Sequence, residues 1–328
     1  MAGTIQRIAA TLLALAAPAC TGIGACAGPA PLDDAAMEAL YAASNRLPDG
    51  PLSVFHLGHS LVGRDMPAML AQLAGAGHEH ASQLGWGASL KAHWGDAEIH
   101  GFAQENAHPR FRDAGQAVDS GDYDAIVLTE MVEIRDAIRH HASPDYLARW
   151  AGRAWRANPE VEVYLYETWH NIDDPEGWLA RIDRDSATYW EGEILRRALA
   201  ADGMERPIRV IPAGPVFARF VREAAARGGV DGVARTEDLF ARTEDGGQDT
   251  IHVNDLGAYL AALTHYAVLY RRSPVGLPAE LLRADGTDAV APGPEAARLM
   301  QEVVWEIVSA HPRTGVDADR PERLTESE

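Results

Sequence analysis

The chain has 328 residues, of which 47% are hydrophobic and 23% are charged. This length and apolar content are enough to bury a sizeable core in one large domain or two small ones. The formal net charge of −19 argues against nucleic acid as a partner, because phosphate binding requires clustered lysine and arginine. An acidic surface favours solubility and carries little information about a substrate.

The N-terminal residues have the pattern of a bacterial secretory signal. Arg7 precedes an apolar run over residues 8–17, which is too short to span a membrane, and small residues follow. We expect a signal peptide over residues 1–27, with small-x-small cleavage sites at 17–19 and 25–27. Residues 23–26 resemble a lipobox, which would make Cys26 a lipid anchor. The protein is therefore expected to be exported, either to the periplasm or to a lipid-anchored location.

Beyond this signal, short apolar segments alternate with longer amphipathic ones. We expect a linker and N-terminal segment over residues 28–50, one α/β domain over 51–311 and a flexible tail over 312–328. The short segments predict strands at 52–57, 81–84, 125–129, 161–167 and 208–212. The periodic segments predict helices at 66–76, 146–157, 177–201, 216–226, 256–271 and 294–310. The alternation predicts a doubly wound α/β sandwich with a mainly parallel sheet, whose sites lie beyond the carboxyl ends of the strands.

The first predicted strand ends in a serine that is the candidate nucleophile. Residues 53–61 read Ser-Val-Phe-His-Leu-Gly-His-Ser-Leu, and a helix-like stretch begins at Met66. A strand fixes the position of the Ser60 side chain, and a nearby helix N-terminus favours developing negative charge. Serine is also a good helix N-cap, so a structural role for Ser60 is the alternative.

A histidine and an aspartate late in the chain can complete a proton relay. Residues 248–254, Gln-Asp-Thr-Ile-His-Val-Asn, are expected to form a loop that enters the helix at 256–271. His252 would accept the proton of Ser60, and Asp249 would fix the imidazole tautomer and stabilise the imidazolium. A surface or capping position for His252 is the alternative. Asn254 is a better N-cap for the following helix than a catalytic group.

Three segments together resemble the SGNH (GDSL-like) hydrolase family. Gly-His-Ser-Leu at 58–61 resembles the first block of that family, and Asp-Thr-Ile-His at 249–252 resembles its last, Asp-x-x-His. Leu-Gly-Trp-Gly-Ala-Ser at 84–89 resembles the second block, whose glycine, here Gly87, donates a backbone N–H to the oxyanion hole. The resemblance covers residues 52–271. It implies a flavodoxin-like three-layer sandwich and ester hydrolysis through an acyl-enzyme, with the Ser60 N–H as another oxyanion donor and with no metal or organic cofactor.

The third block departs from the family pattern, which has Gly-x-Asn-Asp after a strand and uses the asparagine as an oxyanion donor. The matching residues 124–133 contain no asparagine and place Glu130 at the end of the strand. Losing one such donor typically costs about 2.7–4 kcal/mol in the transition state. Asn171, after the next strand, is placed by topology to compensate. Glu130 is expected either to face the substrate or to hydrogen-bond to a neighbour at the edge of the site.

Several other residues have two interpretations. We expect His59, Glu130, Trp169 and Asn171 to line a substrate pocket, although Trp169 fits the hydrophobic core equally well. Residues 58–63 come close to the Gly-x-Ser-x-Gly elbow of α/β-hydrolases, but Val62 stands where the second glycine belongs. The 13 histidines include close pairs at 78/80 and 140/141, but no His-Glu-x-x-His pattern. Most of them are therefore expected on the surface rather than at a metal ion.

The sequence thus predicts an exported serine esterase that acts on a small-molecule or carbohydrate ester, including acetyl esters on carbohydrate. Two other classes of protein stay open. The missing third-block asparagine motivates a non-catalytic carbohydrate-binding module on the same fold. The abundance of histidine motivates a metal-dependent hydrolase.

Overall fold

A central sheet of five parallel strands organises the computed structural model, which describes residues 30–42 and 47–317. The strands are β1 (Ser53–His59), β2 (Glu79–Gly85), β3 (Ala125–Thr129), β4 (Glu162–Glu167) and β5 (Arg209–Pro212). Their spatial order is β2–β1–β3–β4–β5, and every neighbouring pair is parallel. This is the flavodoxin-like order, in which sites form where the winding reverses, between β1 and β3. The predicted fold class is confirmed.

Helices cover both faces of the sheet. In chain order they are α1 (Asp34–Tyr41), α2 (Asp65–Ala74), α3 (Phe102–Glu105), α4 (Ala114–Ser120), α5 (Ile134–His141), α6 (Ser143–Ala157), α7 (Trp178–Asp185), α8 (Arg196–Leu199), α9 (Ala213–Ala226), α10 (Asp255–Tyr270) and α11 (Pro294–Ala310). A π-helical segment, Ser186–Leu195, joins α7 to α8. The core on one face is built from α2, α9, α10 and α11, and the core on the other from α1, α4, α5 and α6. The protein therefore has three layers.

The strands read as near-continuous apolar runs because both of their faces are buried. In β1, Val54 belongs to one core and Phe55 to the other, and neither is exposed to solvent. Helix α10 is apolar on nearly all sides and is buried along nearly its whole length, as expected for a helix enclosed by other elements. No helix among the described residues is long and apolar enough to cross a membrane.

The segment that carries the candidate base forms a strand and not the predicted loop. Strand β7 (Gln248–Val253) pairs antiparallel with β6 (Phe240–Arg242), outside the main sheet. The connecting turn contains Gly246 with a φ of +84°, a conformation that favours glycine. Asn254 then caps α10, because its Oδ1 accepts hydrogen bonds from Leu256 N at 3.0 Å and Gly257 N at 3.2 Å. The predicted capping role of Asn254 is confirmed.

Other predicted boundaries hold with small shifts. The helix predicted at 294–310 has the observed bounds of α11, whereas the helix predicted at 66–76 ends at Ala74, because Gly75 leaves the helix with a φ of +83°. The sequence does not predict α1, α3, α4 and α5, because these helices are short. The signal peptide, its cleavage sites and Cys26 lie outside the described residues, as does the end of the predicted tail.

Candidate active site

Ser60, His252 and Asp249 form one hydrogen-bonded row. The Oγ of Ser60 lies 2.9 Å from Nε2 of His252, although the two residues are 192 positions apart in sequence. The Nδ1 of His252 lies 2.9 Å from Oδ2 of Asp249. The His252 side chain is 45% exposed and the Asp249 side chain 21%, so solvent and a ligand can reach the row. The structure thus brings together the three residues that the sequence singled out.

Ser60 is held in a tight turn between β1 and α2. The turn is closed by hydrogen bonds from Val62 N (2.9 Å) and Gly63 N (3.4 Å) to the carbonyl oxygen of His59. Gly63 has a φ of +60°, which favours glycine. The N-cap of α2 is Arg64, so the alternative role of Ser60 as a helix cap is wrong.

The position of this turn depends on the close approach of β1 and β3. A Cβ on Gly58 would lie only 2.6 Å from the Cβ of Thr129, so β1 can pass β3 at this point only because residue 58 is glycine. The glycine two positions before the serine therefore has a packing role. It lets the end of β1 sit against the end of β3, where the buried polar groups of the site are concentrated.

Asp249 is fixed by the backbone of its own strand. Its Oδ1 accepts hydrogen bonds from Ile251 N at 2.9 Å and from His252 N at 2.8 Å. Burial opposes ionisation of Asp249, but these two N–H groups and the imidazole outweigh it and hold the pKa of the carboxyl below its usual range. The ionised Oδ2 then accepts from the Nδ1–H of His252. The lone pair of Nε2 is consequently directed at the Ser60 hydroxyl.

The loop after β4 is hydrogen-bonded to β7. The indole Nε1 of Trp169 donates to the carbonyl oxygen of Ile251 at 2.9 Å. Trp169 is fully buried and stacks on Phe217, with ring centroids 4.5 Å apart. The prediction that Trp169 lines a pocket is therefore wrong, and its interpretation as a core residue is confirmed. Its indole positions the strand that carries the base.

Asn171 belongs to the same supporting loop. Its Oδ1 accepts a hydrogen bond from the Thr250 hydroxyl at 3.0 Å, and the adjacent Ile172 N donates to the Thr250 carbonyl at 2.8 Å. Asn171 is exposed. Its described contacts attach it to β7, beside Asp249, and none of them joins it to Ser60. No described contact supports the suggestion that Asn171 replaces the missing oxyanion donor.

His59 and Glu130 are buried beneath the site. The imidazole of His59 is closed off at both nitrogens: Nε2 donates to the Glu130 carbonyl oxygen at 2.8 Å, and Nδ1 accepts from Leu61 N at 3.3 Å. Burial lowers the pKa of His59 to about 4, so the ring is neutral at pH 7. Neither His59 nor Glu130 has any exposed surface. Their predicted place in the pocket wall is wrong, because both side chains are enclosed by the ends of the strands.

The carboxyl group of Glu130 is used by the backbone around it. Its Oε1 accepts from Met131 N at 2.8 Å and from Leu90 N at 3.3 Å. Burial raises the pKa of Glu130 to about 7, against the effect of these N–H groups, which favour the carboxylate. The side chain thus joins the end of β3 to the segment after β2. Of the two predicted roles, hydrogen bonding to a neighbour is the one observed.

Gly87 follows the end of β2, the strand next to β1. The last residue of β2, Gly85, is the register partner of His59 in β1. Gly87 is exposed and has a φ of +55°, and a Cβ placed on it would meet no atom within 4 Å. Among the described residues, none accepts a hydrogen bond from its N–H. The backbone at Gly87 is therefore open toward solvent at the edge where Ser60 emerges.

A buried histidine, His93, anchors the end of β1. The Nε2 of His93 donates to the Gly58 carbonyl at 2.7 Å, and its Nδ1 accepts from Gln83 at 2.9 Å. Burial lowers the pKa of His93 to about 4. Several histidines share such burial, against the expectation of surface positions: His56, His59, His78, His93, His170 and His265. No group of three or more candidate metal ligands occurs among the described residues.

Comparisons with known proteins give likeness of fold only. No family model matches the chain, and no curated protein matches its sequence. A DUF4886 family protein from Bacteroides uniformis is similar in structure, with a TM-score of 0.48 and 15% identity over 85% of this chain and 100% of that one. A candidate GDSL-like lipase from Parabacteroides merdae has a TM-score of 0.40 and 13% identity over 69% of this chain and 98% of that one.

A third solved structure is a carbohydrate esterase family 2 enzyme with a carbohydrate-binding domain, from Corynascus thermopiles (Myceliophthora fergusii). Its TM-score is 0.36 and its identity 10%, over 68% of this chain and 66% of that one. Likeness at this level carries no information about a reaction.

Proposed function

We propose that this chain is a serine hydrolase that cleaves carboxylic esters through an acyl-enzyme. The observation that carries the proposal is the hydrogen-bonded row in which Nε2 of His252 lies 2.9 Å from Oγ of Ser60, with Nδ1 of His252 2.9 Å from Asp249. A surface histidine without a functional role is not expected to bridge a strand-end serine and an ionised aspartate. A nucleophile, a base and a group that orients the base are the parts that acyl transfer requires.

In the acylation step, the Oγ of Ser60 attacks the ester carbonyl carbon, and Nε2 of His252 takes the hydroxyl proton. The ester C–O bond then breaks, and the imidazolium returns that proton to the leaving alkoxide, which departs as an alcohol. Asp249 stabilises the imidazolium through the Nδ1–H hydrogen bond. In deacylation, His252 takes a proton from water, the hydroxide attacks the acyl carbon, and Ser60 leaves with the proton from His252.

The negative charge on the tetrahedral oxygen would be stabilised by the backbone N–H groups of Ser60 and Gly87. Glu130 stands where the family pattern has an asparagine, and its carboxyl oxygen is occupied by backbone N–H groups. Because this side chain has no exposed surface, it cannot donate to an oxyanion in either protonation state. We therefore expect weaker transition-state stabilisation than in an enzyme with a side-chain donor, by about 2.7–4 kcal/mol if nothing replaces it.

The proposed substrates are esters of small acyl groups, including acetyl esters carried by carbohydrate. The relay lies on an open surface, since His252 is 45% exposed, and such a surface admits an acyl group attached to a bulky alcohol. On the sequence of residues 1–27 and the cysteine at position 26, we further propose export to the periplasm or attachment through a lipid anchor.

The test is labelling and turnover of purified protein. Wild-type protein is expected to react with a fluorophosphonate probe at Ser60 and to hydrolyse p-nitrophenyl acetate. Ser60→Ala is expected to lose both. Ser120→Ala is the matched control, because Ser120 is exposed and its hydroxyl makes only local hydrogen bonds, donating to the Ala117 carbonyl and accepting from Asp122 N.

Each other outcome points to a different function. Absence of both labelling and turnover in folded wild-type protein would contradict the esterase and favour the non-catalytic binding module. Turnover that survives Ser60→Ala but is abolished by exhaustive chelation would favour a metal-dependent hydrolase. Turnover that survives both treatments would remove Ser60 from the mechanism.

A further inference from the structure

Trp86 is an exposed tryptophan next to the nucleophile, and the proposed mechanism does not use it. Its side chain is 53% exposed. It directly follows Gly85, the register partner of His59, so Trp86 lies beside the position where Ser60 leaves β1. Neighbouring parallel strands are about 4.8 Å apart, which places the two residues at adjacent strand ends. A single exposed apolar residue is common on protein surfaces, but the ring of Trp86 is also held in a fixed orientation.

The indole ring is held by three contacts. A Cβ on Gly101 would lie 2.2–2.5 Å from the ring atoms Cδ2, Cε2 and Cγ, so the bare backbone of Gly101 covers one ring face. The indole Nε1 donates to Glu105 at 2.9 Å, and the backbone N of Trp86 donates to the His100 carbonyl at 2.8 Å. With one face covered and the edge fixed, the exposed area belongs to the opposite face. The ring is therefore presented in one orientation before any ligand arrives.

This support is tied to the turn that carries the nucleophile. The guanidinium of Arg64 donates to the carbonyl oxygens of Gln104 at 2.6 Å and Glu105 at 3.1 Å, at the end of α3. Arg64 stands four residues after Ser60. The segment that supports the indole is thus hydrogen-bonded to the turn that also contains Ser60, so a ligand on the ring would be held at a fixed offset from the nucleophile.

The surroundings of the ring are polar and acidic. Glu98 and His100, 81% and 73% exposed, lie in the segment that covers the ring, and Gln104 is exposed beside Glu105. The side chains around the aromatic face are therefore able to hydrogen-bond to hydroxyl groups. A long acyl chain or an aromatic leaving group needs an apolar cleft. The only other large exposed apolar residue in this segment is Phe102, at 36%, so the segment offers little apolar surface beyond Trp86.

We propose that the exposed face of Trp86 binds the ring of an uncharged sugar in the alcohol part of the substrate. The apolar C–H face of a pyranose would stack on the indole, while its hydroxyl groups meet the polar rim and one ester reaches Ser60. The acidic rim and the net charge of −19 disfavour anionic ligands. The proposal rests on the proposed function, because it identifies the alcohol side of the same ester.

The test compares three acetate esters: methyl 2,3,4-tri-O-acetyl-β-D-xylopyranoside, phenyl acetate and the ring-free vinyl acetate. For Trp86→Ala and Trp86→Leu, kcat/KM is expected to fall about five- to tenfold more for the sugar ester than for vinyl acetate, because the stacked face is lost. Leucine keeps an apolar side chain but offers no flat ring. Val290→Ala is the control, since Val290 is 64% exposed and has no part in the site.

A binding measurement separates this proposal from the proposed function. The Kd of the sugar ester for Ser60→Ala, measured by calorimetry, should rise by the same factor when Trp86→Ala is added. If the sugar ester binds through Trp86 but is never hydrolysed, the sugar site stands and the esterase fails. If hydrolysis depends on Ser60 but the Trp86 variants keep the wild-type ratio of kcat/KM for the sugar ester to that for vinyl acetate, the sugar site is overturned. An equal or larger loss with phenyl acetate would also overturn it, in favour of an aromatic alcohol.

Discussion

The two flanks of Ser60 are built in opposite ways. On the flank of the proposed proton relay (the relay flank), His252 and Asp249 are polar side chains at a partly exposed surface. His252 contacts both Asp249 and the serine directly. On the flank of the proposed oxyanion hole (the oxyanion flank), the polar side chains of His59 and Glu130 are completely buried and contact backbone groups instead. The relay flank presents its chemistry to solvent, whereas the oxyanion flank uses its polar groups to hold loops in place.

In the proposed reaction this difference has a physical reason. A base must exchange protons with substrate and water, so it has to be reachable. An oxyanion hole instead needs backbone donors that stay still while charge develops, and such donors are kept still by buried hydrogen bonds. Glu130 provides these by joining Leu90 after β2 to Met131 after β3. Substitutions on the relay flank should therefore remove activity from a stable fold, whereas substitutions on the oxyanion flank should alter the stability of the fold itself.

The largest effect is expected from His252→Gln on the relay flank. Glutamine cannot take a proton from Ser60 and return it, so kcat on p-nitrophenyl acetate should fall by at least about 10⁴-fold. The melting temperature should stay near that of the wild type, because His252 is 45% exposed. His140→Gln, at a histidine that is 61% exposed, is the matched control. A variant that retains a tenth of wild-type kcat would contradict the relay.

The next effect concerns the pH dependence of stability and Glu130. Burial raises the pKa of Glu130 from 4.5 to about 7, so the folded state binds this proton more tightly than the unfolded state. The stabilisation is fully present below pH 4.5 and is lost as the pH rises toward and through 7. The loss amounts to about 3 kcal/mol at most. Glu130→Gln keeps the oxygen acceptor and removes the titration, so it should lose less stability between pH 5 and pH 8.

Urea unfolding at the two pH values is the measurement, with Glu98→Gln as the control, because Glu98 is 81% exposed. Part of the wild-type change in unfolding free energy with pH should remain in Glu130→Gln, because burial also raises the pKa of Glu167 to about 7. If the unfolding free energy of Glu130→Gln changes with pH as much as that of the wild type, the Glu130 carboxyl is not held protonated in the fold. The contrast between the two flanks then loses its electrostatic basis.

The smallest effect is expected from Trp169→Phe, which tests whether the relay flank also depends on a buried contact. Phenylalanine keeps the stacking on Phe217 but removes the hydrogen bond to the Ile251 carbonyl. We expect a loss of about 1 kcal/mol in unfolding free energy and a fall of a few-fold in kcat. The control is Trp155→Phe, because the Trp155 Nε1 has no partner among the described residues. An unchanged kcat would mean that β7 holds His252 without this contact.

The sequence by itself determined the parallel α/β fold and the three residues of the proposed relay. Apolar runs of strand length that alternate with helical periodicity leave few alternatives to a doubly wound sheet. Ser60, Asp249 and His252 could be found because relay residues are read from side-chain type and local spacing. A strand end and a Asp-x-x-His pattern are local features, and the predicted sheet brings such features to one edge.

Tertiary structure alone decided the oxyanion flank and the support of both loops. Whether Glu130, His59 and Trp169 face a substrate or the interior depends on which elements pack over them, and no local pattern records that. The loop prediction for 248–254 failed for a related reason: its pairing partner, β6, has only three residues and leaves almost no sequence signal. Burial and long-range pairing are set by contacts between distant segments, so they appear only once the chain is folded.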